Sequence, residues 1–580
     1  MRKTKILATL GPATKDVETI KSMINQGMDA ARVNFSHGTY ESHSGIINML
    51  KTAREELNRP IPLVLDTKGP EIRIKTFEVD KLYLEQGASF TLTTRDVVGT
   101  QEIVSVTYED LPKDLQVGSR VLIDDGLLEL IVTDLTKTDV KCTLINSGFI
   151  SARKGVNIPD VYVNLPSLTP QDIEDIKFGI KMDFDFIAAS FIRTATDILN
   201  IRKVLEAHGG GHIHIIAKIE SREGVDNIDS ILDVADGIMV ARGDLGVEIP
   251  PEEVPLVQKN LIRSCNKLGK IVITATHMLE SMVNNPRPTR AEANDVANAI
   301  FDGSDVIMLS GETASGQYPV ESIAMMARIA KEVERSQDYH TIQHGYLGRN
   351  ITNAISSAAV TTAAKLDAAC IVPITDSGFA SRMVSRCRPA CPILAITPDK
   401  NVCRQLNLSW GCMPVLSEQL VGDDEVFEIA ENIAMNTGLA KVGQTIVSVA
   451  GVPVGVAGTT NTMKVRTVGN VLAQGCGNKR GIVKGITRVF LSKDQEERPY
   501  FEQGDIIICT QTNDKMMEYI KKAGAIVLGS FEQTDLSHAK TVAKALDIPM
   551  LEVNVRAVDF VMSGLPVTVD TDTGLLINGY

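Results

Sequence analysis

The chain has 580 residues, of which 44% are hydrophobic and 23% are charged, and its formal net charge is -13 at pH 7. One hydrophobic core stops growing beyond roughly 250 to 300 residues, so this length predicts three or four folded domains. The acidic balance excludes an extended nucleic-acid-binding surface, because phosphate-backbone binding needs a basic face and the sequence contains none.

The N-terminal residues MRKTKILATLGPAT hold only a short apolar run before Gly11 and Pro12. This run is too short for a signal peptide, and no apolar span of about 20 residues follows it. Nine cysteines are scattered along the chain without a paired framework, which is typical of a reducing compartment. We therefore expect a soluble, cytoplasmic protein with neither a membrane nor a nucleic-acid partner.

Eight short apolar runs, each followed by a helical pattern, occupy the first 340 residues. A run that ends in polar residues before an amphipathic helix is typical of a β/α unit. The eight runs are KILATLG, MDAARVNF, PLVLDTKG, DFDFIAASF, HIIAKIE, DGIMVARGD, KIVITATHM and DVIMLSGET. Eight such repeats predict an α/β fold, a TIM (β/α)8 barrel formed by residues 1–70 and 166–345.

The strand ends of this predicted barrel are unusually polar. Catalytic residues of TIM barrels lie at the C-terminal ends of the strands, and these ends carry Arg32, Asn34, Ser36, Asp66, Thr67, Ser190, Arg193, Lys218, Glu220, Arg242, Asp244, Thr274, Thr276, Ser310 and Glu312. We therefore expect cations, carboxylates and hydroxyls to converge at one mouth of the barrel.

Glu220 and Asp244 end neighbouring strands, and two carboxylates completed by substrate oxygens suit Mg2+. Lys218 lies two residues before Glu220, so both side chains point to the same face of the strand. A cation beside metal-binding carboxylates indicates phosphoryl transfer, which depends on charge neutralisation. The alternative is that these acids and this lysine form structural ion pairs.

The helical pattern stops between Gly69-Pro70 and about Leu165. Short alternating strands such as VGSRVLIDD and DVKCTLINSG replace it. We expect a small β-barrel over residues 71–165 that is inserted at the catalytic end of the barrel and serves as a lid.

The C-terminal part of the chain shows two further patterns. Residues 346–474 alternate apolar strands with helices, which predicts a second α/β domain. Residues 475–480 resemble a linker, and residues 481–580 are expected to form an extra domain of apolar strands with at least one helix.

The usual phosphate-binding patterns G-x-x-x-x-G-K-[ST] and G-x-G-x-x-G are absent from the sequence. Any kinase activity must therefore belong to a family that binds the nucleotide without either pattern. Six other segments resemble motifs of the pyruvate kinase family, in family order and at family spacing over residues 1 to about 474. They are ARVNFSHG at 31–38, LDTKGPEIR at 65–73, KGVNIP at 154–159, IIAKIESREGV at 215–225, MVARGDLGVEIP at 239–250 and ATHMLESMVNNPRPTRAEANDVANAIFDGSDVIMLSGETA at 275–314.

The resemblance implies transfer of the phosphoryl group of phosphoenolpyruvate to ADP, giving pyruvate and ATP, with Mg2+ (or Mn2+) and K+ as cofactors. It implies a Mg2+ site at Glu220 and Asp244, and Lys218 as the group that stabilises the phosphoryl group in transit. Thr276 would lie beside the enolate carbon and orient a water or proton chain. Arg32 and Arg73 would hold phosphate and act in catalysis.

The resemblance also assigns binding residues. Substrate binding is implied for Arg32, Ala241, Arg242, Gly243, Asp244 and Thr276, with the backbone from Ala241 to Asp244 around the substrate carboxylate. Nucleotide binding is implied for Asn34, His37, Arg73 and Lys154. A K+ site is implied for Asn34, Ser36, Asp66 and Thr67.

Two positions qualify this picture. His277 follows the catalytic threonine where the family usually has Gln, and it is expected either to titrate near neutral pH or to remain a neutral structural histidine. Glu71 matches the family form that depends on K+, because its carboxylate needs a counter-ion.

Residues 346–474 resemble the effector-binding and subunit-contact domain of the family. TDSGFASR at 375–382 is a phosphate-loop candidate through Thr375, Ser377, Gly378, Ser381 and Arg382, and the alternative is a solvated loop. A phosphorylated allosteric effector and a homotetramer follow by analogy.

The C-terminal extension resembles the swivelling phosphohistidine domain of phosphoenolpyruvate-utilising enzymes. Of the expected pattern Gly-Gly-x-Thr-Ser-His, only Ser537 and His538 remain, because Gln533 to Leu536 replace the rest. A structural or regulatory domain is therefore expected rather than a phosphocarrier.

Two other functions compete with a pyruvate kinase. A Mg2+-dependent barrel aldolase or lyase acting on pyruvate also pairs Glu with Asp at its metal, but it would have no use for Lys154, the lid or the K+ residues. A catalytically inactive regulator would keep ligand binding alone, and the intact motifs argue against it.

Overall fold

The computed structural model describes residues 1–336, 339, 350–417, 425–452, 460–490, 500–530, 537–558 and 561–579. The chain divides into two compact units. The first contains residues 1–360, 373–420 and 450–461, and the second contains 361–372, 421–449 and 462–580. The expected boundary at residue 345 lies outside the described residues. Strands and helices are numbered below in chain order.

The first unit is built around a closed barrel of eight parallel strands, which confirms the predicted α/β barrel fold. Neighbouring strands follow the order β1-β16-β15-β14-β13-β12-β3-β2. The barrel strands are β1 (Lys5–Leu10), β2 (Ala30–Asn34), β3 (Leu63–Asp66), β12 (Phe186–Ala189), β13 (His214–Ile219), β14 (Gly237–Ala241), β15 (Ile271–Ala275) and β16 (Val306–Leu309). Each of these strands comes from one of the eight apolar runs in the sequence.

The barrel interior is filled with side chains rather than open. Leu7, Val64, Phe186, Ile216 and Ile273 belong to one fully buried apolar cluster within it. Such a packed interior fixes the strand ends rigidly, because native cores leave little free volume.

Helices follow the barrel strands and pack on them through apolar faces. Several begin with a capping box, in which a threonine and an acid or serine three residues later satisfy the first backbone N–H groups. The helices are α1 (Val17–Gln26), α2 (Tyr40–Glu56), α4 (Pro170–Lys181), α5 (Ala195–Ala207), α6 (Arg222–Asp226), α7 (Ile228–Val234), α8 (Arg242–Glu248), α9 (Val254–Leu268), α10 (Arg290–Phe301), α11 (Gly311–Ala314) and α12 (Pro319–Arg335).

Between β3 and α4 the chain forms a separate β-rich lid with its own apolar core. Its strands form a six-stranded sheet in the order β11-β7-β8-β9-β5-β6 and a two-stranded sheet of β10 and β4. The lid elements are β4 (Lys81–Leu84), β5 (Ser89–Thr93), β6 (Ile103–Ser105), α3 (Leu111–Asp114), β7 (Arg120–Ile123), β8 (Leu128–Leu135), β9 (Asp139–Leu144), β10 (Gly148–Ser151) and β11 (Val156–Asn157).

The first unit also contains part of the C-terminal α/β domain. There β18 (Ile393–Thr397) and β19 (Cys412–Leu416) pair in parallel, with α14 (Phe379–Arg386) and α15 (Lys400–Leu406) beside them. Nε of Arg404 lies 2.6 Å from Oδ1 of Asp185, the residue before β12. This part is therefore tied to the N-terminal ends of barrel strands, opposite the catalytic mouth. Helix α13 (Ile351–Lys365) crosses the division between the two units.

The second unit contains the remaining described strands and helices. In its α/β part, β17 (Cys370–Pro373), β20 (Thr445–Ala450) and β21 (Thr462–Thr467) lie side by side in that order, and α16 (Glu425–Asn436) belongs to the same unit. Its C-terminal part is a closed barrel of seven strands. These elements are β22 (Val471–Gly477), β23 (Ile482–Phe490), β24 (Ile506–Cys509), α17 (Met517–Ile520), β25 (Ala525–Ser530), α18 (Ser537–Ala545), β26 (Met550–Asn554), α19 (Val555–Val558), β27 (Pro566–Asp570) and β28 (Leu575–Asn578).

The segment expected to be a linker at 475–480 begins inside a strand. Gly475 pairs with Val553 across β22 and β26, and a Cβ at this glycine would lie only 1.8 Å from the Glu552 carbonyl oxygen. Gly475 therefore allows the two backbones to approach closely, whereas the sequence pattern predicts a linker at this position.

None of the helices among the described residues is long and apolar enough to span a membrane.

Candidate active site

Lys218 lies in a buried cluster of charges at the C-terminal ends of β2, β3 and β13. Its Nζ lies 3.1 Å from Oδ1 of Asp66 and 3.0 Å from Oε1 of Glu220. Nε of Arg32 donates a hydrogen bond of 2.5 Å to Oδ2 of Asp66. Both carboxylates are only 1% exposed. The two acids and two cations balance each other, as buried charges require.

The pKa values of this cluster follow from burial and pairing. Burial alone would lower the pKa of Lys218, but Asp66 and Glu220 outweigh burial and raise it above the usual range. Burial would raise the pKa of Asp66, but Arg32 and Lys218 bring it below the usual value. Burial raises the pKa of Glu220 to about 7, Lys218 opposes this increase, and Asp244 adds to it. Lys218 therefore remains a cation.

The loop after β12 connects several members of the cluster. Oγ of Ser190 accepts a hydrogen bond of 2.7 Å from Lys218 and donates one of 2.7 Å to the Thr67 carbonyl oxygen. The backbone N–H of Phe191 donates to Oε2 of Glu220 at 2.6 Å. Phe191 has a φ of 55°, in the left-handed region that non-glycine residues rarely adopt. Strained backbone of this kind concentrates at functional sites.

Glu220 and Asp244 are the two carboxylates at the barrel mouth that could hold a divalent cation. Both line the two cavities at the barrel mouth, and among the described residues no group of three or more His, Cys, Asp and Glu side chains could hold a metal alone. Mg2+ favours one or two carboxylates and leaves its remaining positions to water and substrate oxygens. The two acids therefore fit Mg2+ or Mn2+.

Thr276 is placed by the turn after β15. Its Oγ1 accepts a hydrogen bond of 2.8 Å from the Gly243 N–H and donates one of 2.7 Å to the Ala275 carbonyl oxygen. Thr276 and His277 both have positive φ values, 66° and 54°. The threonine hydroxyl is thus fixed beside the segment expected to hold the substrate carboxylate. His277 is exposed at the same turn.

Arg242 is held away from a role as a free cation. Its guanidinium donates to the Ala275 and Thr276 carbonyl oxygens at 3.2 and 2.6 Å and to Oδ1 of Asp295 at 2.7 Å. These bonds connect α8, the turn after β15 and α10. Within the segment Ala241 to Asp244, the side chain of Arg242 therefore supports the local structure through these three hydrogen bonds.

Two lid cations face the barrel mouth, each with an acidic partner. Nζ of Lys154 lies 2.9 Å from Oδ1 of Asp124. Nε of Arg73 donates to Oε2 of Glu71 at 2.6 Å, and another of its nitrogens donates to the Arg153 carbonyl oxygen. The carboxylate of Glu71 is thus paired with Arg73, and the expected dependence on K+ through Glu71 stays a prediction.

Two cavities of about 260 and 760 Å3 lie between the lid and the barrel mouth. The smaller contains Lys154 and Asp124, and the larger contains Arg32, Lys218 and His37. They share the wall residues Glu71, Arg73, Phe191, Glu220 and Asp244. Arg73 and Lys154 of the lid and Glu220 and Asp244 of the barrel therefore border one cleft.

The expected K+ residues fall into two groups. Asn34 and Ser36 line the larger cavity, whereas Asp66 and Thr67 are buried beneath it. Oδ1 of Asn34 accepts from the Ser36 N–H at 3.1 Å, and Oγ1 of Thr67 accepts from the Ser190 N–H at 3.1 Å. All four lie at or just after the ends of β2 and β3, and side-chain oxygens of Asn34, Asp66 and Thr67 already accept hydrogen bonds from protein groups.

The effector residues do not all face one open loop. Ser377 is exposed, but Thr375 is buried and Ser381 is fully buried. Arg382 folds back, with one nitrogen 3.3 Å from the Ser377 carbonyl oxygen. Gly378 precedes α14 with a φ of 78°. Ser381 lies in α14 and is fully buried in this conformation, and its expected contact with an effector stays a prediction.

His538 at the start of α18 has two polar neighbours. Its Nδ1 lies 2.8 Å from Oγ1 of Thr512, and its Nε2 lies 3.4 Å from Oδ1 of Asp514. Residues 531–536, which carry the departures from the phosphohistidine pattern, lie outside the described residues.

Several contributors to this site were not singled out by sequence reasoning. Ser190 was noted only as a polar strand end, and Phe191, Asp124 and Asp295 were not named. A backbone N–H such as that of Phe191 leaves no signature in sequence, while Asp124 is part of the lid strand segment VGSRVLIDD, where an acid reads as an ordinary turn residue.

Three family models match the chain along its length. Residues 1–323 match the barrel domain of pyruvate kinase, residues 353–466 match its alpha/beta domain, and residues 501–574 match the mobile domain of PEP-utilising enzymes.

Curated relatives match over the whole chain. This chain is 46% identical to a pyruvate kinase of Bacillus licheniformis over 584 residues and 46% identical to one of Geobacillus stearothermophilus over 587 residues. It is 44% identical to a pyruvate kinase of Sporosarcina psychrophila over 589 residues. Each alignment covers 100% of this chain and 99% of the relative.

Proposed function

Because the chain belongs to the pyruvate kinase family and performs its reaction, phosphoryl transfer from phosphoenolpyruvate to ADP, we propose that Lys218 is the cation on which the transfer depends. The observation that carries this proposal is its position. Nζ of Lys218 lies within 3.1 Å of both Asp66 and Glu220, at the wall of the cleft between lid and barrel. A cation held there before the reaction stabilises charge that develops on the phosphoryl oxygens.

Pyruvate kinases need a divalent metal and K+, and we assign the divalent site to Glu220 and Asp244. The metal, when bound, neutralises phosphate and carboxylate oxygens of the substrate. The protein's part is to present both carboxylates at the cleft. The Phe191 N–H orients Glu220, and Lys218 prevents the two acids from repelling each other without compensation.

Arg32, Arg73 and Lys154 are proposed to bind phosphate groups from two sides. Arg32 is anchored to Asp66 below the larger cavity. Arg73 and Lys154 belong to the lid and are anchored to Glu71 and Asp124. Lid cations on one side and barrel cations on the other would hold the nucleotide phosphates in line with the transferred group, with Asn34 and His37 at the nucleotide side of the larger cavity.

Thr276 is proposed to orient the proton donor that converts the enolate to pyruvate. Its hydroxyl is fixed between the Gly243 N–H and the Ala275 carbonyl. A threonine hydroxyl is a weak acid, so its role is to position a water or proton chain. The backbone from Ala241 to Asp244 lies beside it and is assigned to the substrate carboxylate.

We also propose a K+ site, a phosphorylated allosteric effector, a homotetramer and a cytoplasmic location. Asn34, Ser36, Asp66 and Thr67 are proposed to approach K+ after substrate binding changes their present hydrogen bonds. The exposed Ser377 with Thr375, Gly378 and Arg382 remains the proposed contact for a phosphorylated effector. Nine free cysteines are compatible with a reducing cytoplasm.

The experiment is the replacement Lys218→Met. We expect turnover to fall by about 10^3-fold or more, since a preorganised cation is lost, while phosphoenolpyruvate binding changes little. Lys177→Met is the matched control, because Lys177 pairs with Glu174 at 2.7 Å on the outside of α4. A Lys218→Met enzyme with a tenth of wild-type turnover would refute the assignment.

A further inference from the structure

Arg193 is a polar strand-end residue to which the chemistry gives no role. It follows β12 at the barrel mouth, and its side chain is 13% exposed. Its guanidinium donates one hydrogen bond of 2.6 Å to the Val163 carbonyl oxygen and another of 2.6 Å to the Leu165 carbonyl oxygen. These two carbonyls belong to the segment through which the chain returns from the lid to the barrel.

Arg193 is itself rigidly held. Its backbone N–H donates to Oδ2 of Asp197 at 3.0 Å, and its carbonyl oxygen accepts from Nδ2 of Asn227 at 3.0 Å. Hydrogen bonds from a charged guanidinium to two acceptors fix direction as well as distance. The return segment is therefore tied to a fixed point of the barrel.

The outgoing segment is tied down by a second side chain. Oδ1 of Asp172, fully buried at the start of α4, accepts from the Gly69 N–H at 3.0 Å. Gly69 has a φ of 71°, and a Cβ there would lie 2.8 Å from Cβ of Ser190. Both crossings between lid and barrel thus meet the loop 190–193 or its immediate neighbours.

The return segment held by Arg193 is close in sequence to a cation of the lid. Lys154 precedes Val163 by nine residues, and its carbonyl oxygen accepts from the Ile74 N–H at 3.0 Å. Arg73 pairs with Gly155 in an isolated bridge. Shifting the return segment at Val163 and Leu165 would therefore move both phosphate-binding cations of the lid.

The same loop also contacts the metal-binding acid. Phe191, two residues before Arg193, donates its N–H to Glu220 at 2.6 Å. One loop thus holds Glu220 at one end and the lid segment at the other. Apart from Arg193, the described contacts of this segment with the barrel include Tyr162 to Asp226 at 3.2 Å and Asn157 to Glu248 at 2.8 Å, and neither involves a cation.

We propose that Arg193 is a positioning residue that fixes the lid relative to the metal-binding acids, and so places Lys154 and Arg73 for the nucleotide. This inference rests on the proposed function, in which those two lid residues bind the phosphates of ADP. The residues proposed to bind phosphoenolpyruvate lie mainly in the barrel, whereas the hydrogen bonds of the Arg193 guanidinium go to the return segment of the lid. Loss of the Arg193 side chain should therefore raise the KM for ADP more than the KM for phosphoenolpyruvate.

The test compares Arg193→Gln and Arg193→Lys with the control Arg222→Gln. Arg222 lines the same smaller cavity but pairs with Glu253 of the barrel at 2.6 Å. In Arg193→Gln we expect the KM for ADP to rise roughly tenfold or more, because two charge-assisted hydrogen bonds are lost. The KM for phosphoenolpyruvate should change less than about threefold. Arg193→Lys should lie between wild type and Arg193→Gln, and Arg222→Gln should match wild type.

A second readout follows the lid directly. Hydrogen exchange of peptides covering residues 158–168 should be faster in Arg193→Gln and unchanged in Arg222→Gln, while the lid sheet at residues 120–144 keeps its wild-type rate. If Arg193→Gln fails to fold, the same separation measured in Arg193→Lys decides the question.

Equal changes in both KM values, or faster exchange at 158–168 with an unchanged KM for ADP, would overturn the inference. The proposed function has its own test, because Lys154→Ala must raise the KM for ADP if that lysine binds the nucleotide. A normal KM for ADP in Lys154→Ala contradicts the proposed function, whatever Arg193 does.

Discussion

At the scale of single residues, the site depends on charges that compensate one another. Lys218 forms ion pairs with both Asp66 and Glu220, and Asp66 forms ion pairs with both Arg32 and Lys218. Removing one partner from such a buried network leaves an uncompensated charge, which is strongly unfavourable. Each member therefore has a structural role besides the role proposed for it in the reaction, so a substitution has to be assessed by a readout that separates the two effects.

Glu220→Gln is expected to weaken divalent-metal binding while the fold persists. The neutral amide keeps the shape of the side chain but removes one of the two carboxylates that suit Mg2+. We expect the dissociation constant for Mn2+, followed by electron paramagnetic resonance of the purified protein, to rise by about tenfold or more. Glu223→Gln, which alters another acid of the same smaller cavity, is the control. Unchanged Mn2+ affinity in Glu220→Gln would move the metal away from this residue.

Glu71→Lys is expected to support turnover without K+, whereas Glu71→Gln is expected to remain dependent on it. Both substitutions remove the partner of Arg73, so the comparison isolates the effect of the added ammonium group. The measurement is turnover in buffer free of K+ and Na+, relative to turnover in saturating K+. Wild-type enzyme that is fully active without monovalent cations would show that the K+ assignment is wrong.

The residues of the cluster could be anticipated from sequence to different degrees. Lys218 lies in β13 and Glu220 directly follows the end of this strand, so the two-residue period alone places them on one face. Their distances to Asp66 and Arg32 depend on closure of the barrel, which local pattern does not encode. Glu71 and Arg73 are also two residues apart and form an ion pair, but the resemblance to K+-dependent enzymes implies an external counter-ion for Glu71 and does not predict this pair.

At the scale of elements, the connections between barrel and lid are as constrained as the strands. Gly69 lies against Ser190, whose hydroxyl contacts Lys218. Residues 163 to 165 are held by Arg193. A lid that must close over substrate needs hinges with defined positions, and these contacts supply them at both crossings.

Gly69→Ala tests the close approach of the outgoing crossing. The new methyl group would meet Ser190 at 2.8 Å in a left-handed conformation, so we expect a loss of about 1–3 kcal/mol in unfolding free energy and a fall in turnover. Gly87→Ala is the matched control, because Gly87 has a φ of 79° but no heavy atom within 4 Å of the added Cβ. It should show the backbone penalty without the fall in turnover, measured by denaturant unfolding and steady-state kinetics. Equal turnover losses in both variants would contradict the close-approach account.

The elements predicted best were those with a strong apolar period. All eight barrel strands follow from the apolar runs bounded by polar ends, and each contains four to six buried residues. The β22 strand was missed at its C-terminal half because Gly475 and Gly477 resemble a joint. In the barrel they permit backbone contact, since a Cβ at Gly477 would lie 2.2 Å from the Thr571 carbonyl oxygen.

At the scale of the whole molecule, the residues proposed to act in catalysis all belong to the first unit. The seven-stranded barrel of the second unit supplies none of them. The family model for the mobile domain of PEP-utilising enzymes matches within it, at residues 501–574. We therefore expect that the extension can be removed without loss of the chemistry, provided that the truncation leaves none of its strands unpaired.

Truncation after residue 470 is expected to leave turnover within about threefold of wild type. Truncation after residue 481 retains β22, which pairs with β26 and β28 in the intact chain. An unpaired apolar strand promotes aggregation, so this longer fragment should be less soluble than the shorter one. Size-exclusion chromatography and kinetics of the two fragments provide the measurement. Loss of turnover in a folded fragment 1–470 would place a catalytic role in the extension.

His538→Ala is expected to leave turnover unchanged. His538 contacts Thr512 and Asp514, but most of the phosphohistidine pattern before it is replaced. The measurement is acid-labile phosphate on the intact protein after incubation with phosphoenolpyruvate or ATP. Stoichiometric phosphate that disappears in His538→Ala, together with activity, would make the extension a phosphocarrier.

The central claim is that the cleft between lid and barrel transfers a phosphoryl group from phosphoenolpyruvate directly to ADP. The most direct test follows 32P from labelled phosphoenolpyruvate during a single turnover with Mg2+ and K+. The account predicts labelled ATP and pyruvate in equal amounts, no pyruvate without ADP, and a loss of about 10^3-fold in the rate with Lys218→Met. Pyruvate formed at the wild-type rate without ADP, or ATP formed at the wild-type rate by Lys218→Met, would contradict it.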